Sequence, residues 1–115
     1  SACDGAKYLA ARLTGIEAPV HADEESTLDE LRARIAATRD FLQTVDAQAF
    51  EGAEERVLTP AVLQGASVTG AEYTRAFGVP NTYFHLGMAY ALLRSWGVPL
   101  GKRAWIGSVE MQQPE

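Results

Sequence analysis

The chain is poor in the residues that usually advertise chemistry. It has one cysteine, Cys3, which excludes an intrachain disulfide and a cysteine-rich zinc site. Histidine occurs only at His21 and His85. Basic charge is short as well, with 10 Lys and Arg against 15 Asp and Glu, for a net charge of -5. That balance, with a pI near 5.0, argues against nucleic acid, whose phosphates select basic faces. Arg94 and then Gly97-Val98-Pro99 interrupt the longest apolar run, so no membrane span is expected. No Gly-x-Ser-x-Gly elbow is present, and no Ser, His, Asp constellation stands out. The Gly97 to Arg103 segment is not a phosphate loop, because three residues instead of four separate its glycines and Arg103 follows Lys102. Its two cations read more simply as a turn facing the preceding helix C-terminus.

What is present is an ordinary globular composition, 47% hydrophobic and 22% charged. At 115 residues it amounts to one domain with a single core. A cytoplasmic location is the default expectation. The opening "SACDGAKYLAARLTG" has neither an initiator Met nor the parts of a signal peptide. It reads as a helix already under way, with Ala2, Ala6, Leu9 and Leu13 on one face and Gly15 as its stop, and the expectation is either a chain whose beginning is absent or a processed N-terminus.

After a connection containing Pro19, "STLDELRARIAATRDFLQTV" carries strong helix signals over 27–44. Thr27 and Glu30 have capping-box spacing, and Leu28, Leu31, Ile35, Thr38, Leu42 and Val45 form one stripe. The β-branched stretches 56–59 and 66–69, with Gln64-Gly65 between them, predict a small hairpin whose Pro60 confines it to an edge. "TGAEYTRAFGVP" predicts a short helix capped by Thr69 and ending near Gly78 and Pro80. A last helix over 80–96 is apolar nearly all round, which predicts a central, enclosed position. Beyond Gly97 the chain should fold back, with Pro99, Trp105 and Ile106 docking on the bundle.

His85 follows Asn81 by one helical turn, so both side chains share a face. A helix offers two ligands to one metal with this spacing. Asn is a weak ligand, so a second helix would have to add a donor, with Asp4 the candidate and Glu72 a lesser one. The competing reading is a partly buried His85 hydrogen-bonded to Asn or Tyr. His21, beside Asp23, Glu24 and Glu25, reads as part of a solvated loop, and Cys3 as a packing residue. Tyr83 and Tyr90 share a different helix face from His85 and are expected to pack.

Taken together, "CDGAKYLAARLTGIEAP", the long helix after it and "PNTYFHLGMAYALLRSWGVPLGKRAWIG" resemble an uncharacterised bacterial family of the DinB-like superfamily. The resemblance implies an all-α, four-helix bundle, often dimeric, with a metal pocket built by histidines from two helices in better-known relatives. Some of those relatives are thiol-dependent transferases or isomerases. It places His85 on the helix that usually carries a His-x-x-x-His pair, with Asn81 standing where the first histidine would be. It also implies an extra first helix that this chain lacks, leaving three bundle helices and an open apolar groove. A second copy in a homodimer, or an N-terminal segment, is expected to cover that groove. The functional expectation is a divalent-metal-dependent or thiol-linked transferase, with Zn, Ni or Mn held by His85, Asn81 and Asp4. The alternative is a non-catalytic dimeric bundle that binds a small ligand or a partner.

Overall fold

The computed structural model describes residues 1–114. Helix α1 spans Ala2–Thr14 and stops at Gly15, whose φ of 76° is the left-handed conformation that suits a residue without Cβ. Helix α2 spans Leu28–Thr44 and starts with the predicted capping box: the Thr27 hydroxyl accepts the Glu30 amide while the Glu30 carboxylate accepts the Thr27 amide. The hairpin forms with Val57 opposite Thr69 and Leu58 opposite Val68, antiparallel, as strands β1 (Val57–Leu58) and β2 (Val68–Thr69). Pro60 lies just beyond β1, where no ladder donor is needed.

The chain departs from expectation after Thr69. Helix α3 (Gly70–Tyr73), capped by Thr69 as predicted, does not end near Pro80. It passes through a π turn at Thr74–Gly78 directly into α4, Val79–Ser95. Pro80 has no N–H and its ring would strike the carbonyl four residues back in a regular helix. A wider turn before it absorbs both problems, so the proline re-phases the helix instead of ending it. At the far end Gly97 adopts φ 88°, its amide bonds to the Arg94 carbonyl and the Val98 amide to the Leu93 carbonyl, closing a Schellman motif. The chain then folds back as expected into α5 (Lys102–Ile106), and Trp105 packs against Tyr83 and Tyr90 with ring centroids 6.2 and 5.8 Å away.

The central helix is α1, which packs against α2 on one side and α4 on the other. This corrects the expectation that the apolar last helix would be enclosed, since α4 has no buried residue among those described. The stripe on α2 is buried only in part: Thr38 is buried as expected, but Leu28, Leu31 and Ile35 are exposed and Arg34, outside the stripe, is buried. The best-buried apolar cluster joins Leu13 of α1, Ala53, Leu58 of β1 and Tyr73 of α3, with Leu9, Val68 and Phe77 against it. The molecule is mostly helical with one two-stranded sheet, and three long helical spans stand among the described residues. No described helix is long and apolar enough to cross a membrane.

Candidate functional site

The π turn decides which residues of the long helix meet α1. Four-residue steps along a regular α-helix drift steadily around its axis. The extra residue in the turn offsets that drift, so Tyr73, Phe77, Asn81 and His85 line one wall of a single cleft. Asp4, Tyr8 and Arg12, at four-residue steps on α1, form the opposite wall. Val62 from the hairpin connection closes part of the space, whose volume is about 180 Å³. Two glycines allow the helices this close. A Cβ on Gly78 would lie 2.4 Å from Leu9 Cδ1, and one on Gly5 would lie 3.1 Å from Thr82 Oγ1.

Asn81, His85 and Asp4 therefore share one cleft, whereas Glu72 lies outside it and pairs with Arg75 at 2.8 Å. Neither ring nitrogen of the half-buried His85 has a hydrogen-bond partner among the described residues; its ring stands edge-on to Phe84. Asp4 is heavily engaged. Its Oδ1 accepts from Arg34 Nη2 at 2.8 Å and faces Lys7 Nζ at 3.2 Å, and its Oδ2 accepts from the Ser1 hydroxyl at 2.7 Å. Burial pushes its pKa up, but hydrogen bonds from Ser1, Lys7 and Arg34 outweigh this and hold the carboxyl well below the usual carboxylate range.

Those contacts bear on the metal that the family resemblance implies. Both Asp4 oxygens already face donors, and two cations adjoin the carboxylate, so it is poorly placed to attract a third. His85 is then the one strong donor, with a weak amide beside it, and no cluster of three His, Cys, Asp or Glu occurs among the described residues. The residues present fall short of a divalent-ion centre.

Behind Asp4 lies a charge network that was not anticipated from the sequence. Lys7 is fully buried, and its Nζ donates to His21 Nδ1 at 3.0 Å, so His21 is a half-buried anchor and not a solvated loop residue. Arg34 Nη1 donates to Asp23 at 2.7 Å and to Glu25 at 2.9 Å. These bonds, to Asp23 and then Glu25, raise the Arg34 pKa, and the Arg34 hydrogen bond lowers that of Glu25. The network ties the 15–27 connection to α1 and α2. Cys3 is a half-buried free thiol.

Arg12 was also missed. Its Nη1 donates to the Tyr73 hydroxyl at 2.6 Å, and its guanidinium lies 5.4 Å from the Tyr8 ring centroid and 5.7 Å from that of Tyr73. The four-residue recurrence of Asp4, Tyr8 and Arg12 was the available signal; the apolar stripe of the same helix masked it.

Residues 1–106 match the family model described as Domain of unknown function (DUF1993). The chain is similar to a DinB family member protein from Shewanella denitrificans, known from a crystal structure at 1.83 Å resolution, with 40% identity and a TM-score of 0.92. The match covers 98% of this chain and 65% of that one, so the chain spans about two thirds of the relative's length. No curated protein matches. The chain belongs to the DUF1993 family and has the fold of a DinB-like protein.

Proposed function

We propose that this protein binds a small molecule in the cleft between α1 and the α3–α4 helix, and that His85 handles a proton there in a thiol-linked transfer. One observation carries the reading. The His85 ring nitrogens have no hydrogen-bond partner among the described residues, yet the side chain lines a cleft that is otherwise rich in fixed polar groups. An imidazole so placed can accept the proton of a bound thiol and leave a thiolate as nucleophile, with the Asn81 amide one turn away to orient the acceptor. The test is a titration of the chain with cysteamine, followed by NMR of the His85 ring protons. A saturable shift of the His85 ring, accompanied by shifts of the Tyr8 and Asn81 amides that His85→Ala weakens without loss of fold, supports the reading; an unmoved His85 resonance at saturating thiol sinks it.

A divalent-metal-dependent transferase is the competing reading; Asp4, Asn81 and His85 share one cleft, but the hold of Lys7 and Arg34 on Asp4 counts against it. It predicts a rise in melting temperature with zinc, nickel or manganese in the parent chain and none in His85→Ala. Binding to the folded state alone adds about 2.7 kcal/mol at a hundredfold excess over Kd.

A further inference from the structure

We propose that Arg12 makes this cleft selective for small molecules that carry a carboxylate. The inference rests on the cleft being the ligand site and names the class of ligand it takes.

Charges removed from water are normally paired. The two buried cations obey this: Lys7 faces Asp4, and Arg34 faces Asp4, Asp23 and Glu25. Arg12 does not. It is half-buried and has no carboxylate within 4.0 Å among the described residues, whereas Arg39, Arg56, Arg94, Lys102 and Arg103, which also lack one, are all exposed. Asp4, the acid on the same wall, is already occupied by Lys7 and Arg34, so it does not offset the charge of Arg12. The cleft is left with a cation whose counter-charge the described residues do not supply.

The group is also held ready. A guanidinium has five N–H donors, and the hydrogen bond to Tyr73 uses one of them. Contact with the rings of Tyr8 and Tyr73 limits its motion, so little further entropy is lost when a planar acceptor arrives. A carboxylate matches the fork with two parallel hydrogen bonds. Val62 and Phe77 supply apolar walls, and the volume of about 180 Å³, below the range for drug-sized ligands, suits a short carboxylic acid.

The experiment compares propionate with propionamide, its neutral isostere, by chemical-shift titration at pH 8. Propionate is expected to move the Tyr8, Asn81 and His85 resonances saturably, with propionamide at least tenfold weaker. Arg12→Gln should abolish the difference, and Arg12→Lys should restore part of it, since charge returns without the fork. Should Arg12→Gln fail to fold, the comparison of the two ligands on the parent chain still decides. Equal binding of the two, tighter binding of inorganic phosphate, or unchanged propionate affinity in folded Arg12→Gln overturns the proposal. If cysteamine moves His85 while propionate moves nothing, the cleft remains a site and the role of Arg12 falls; if neither ligand binds, both fall.

Discussion

At the scale of single residues, stability should depend most on the group that joins the two sides of the charge network. Asp4 faces Lys7 and Arg34, and its removal leaves a fully buried ammonium with no carboxylate. Breaking a buried pair in this way costs roughly 3–5 kcal/mol, and because Asp4 is partly exposed, about 3 kcal/mol is expected for Asp4→Ala in urea unfolding. The pH dependence follows from the same contacts. The pKa of Asp4 lies below its ordinary 3.8 in the folded chain, and those of Glu25 and Glu30 lie below 4.5. Depressed carboxyl pKa values stabilise fully above the unfolded values and lose their effect as pH falls through the folded ones. Stability should therefore hold above about pH 5 and decline toward pH 3 and below. Arg34 is shifted upward by its bonds to Asp23, Glu25 and Asp4, so it stays charged in acid but loses its partners as those carboxyls protonate. Urea midpoints at pH 7 and pH 3 should differ less for Asp4→Ala than for the parent, and an equal difference would show that Asp4 does not carry the effect. The sequence spacing placed Asn81 and His85 together and nominated Asp4 opposite them. It could not show that Lys7 and Arg34 would claim Asp4, because both sit among apolar residues where burial of a charge is not expected.

At the scale of elements, helix starts and stops were the legible part. Thr27, Thr69, Gly15 and Gly97 act through local hydrogen bonds and backbone preference, and each behaves as its local chemistry requires. The π turn was not legible. Gly78 and Pro80 carry the usual marks of a helix end, and the continuation depends on packing of that turn against Leu9 of α1. Gly70 makes the other tight junction, where the long helix leaves the hairpin. Its amide donates to the Arg56 carbonyl at 2.8 Å, and a Cβ there would lie 1.8 Å from the Ala53 carbonyl oxygen. Backbone cannot yield as a side-chain tip can, so Gly70→Ala should cost about 3 kcal/mol, at the upper end of overpacking effects. Gly52→Ala is unsuitable as a control because φ is 70° there; Gly87→Ala, on α4 with open space around it, should be neutral or stabilising. Thermal melts of Gly70→Ala and Gly87→Ala test the pair, and similar midpoints would mean that the junction relaxes around the added methyl.

At the scale of the whole molecule, the apolar last helix does not take the enclosed position that its pattern predicts; it is left as a surface that wants covering, and its cover is not among the described residues. The radius of gyration is 16.5 Å, against about 13 Å for a compact domain of this length. The excess reflects a flat shape, 52 × 43 × 25 Å, in which Tyr83, Leu86, Met88, Leu92 and Leu93 of α4 remain between 42% and 58% exposed. From Val79 to Leu93 the helix carries no Lys, Arg, Asp or Glu. Such a face has no charge to repel a second copy, and an apolar surface of this kind is seldom left in water. The chain is therefore expected to self-associate, in line with the dimer that the family resemblance implies. Sedimentation velocity over a range of concentrations should show a dimer that dissociates on dilution. Leu86→Glu with Leu93→Glu, seven residues apart on one side of α4, should yield a monomer whose helical content is unchanged. A parent chain that sediments as a monomer at every concentration would show that a second copy does not cover this face.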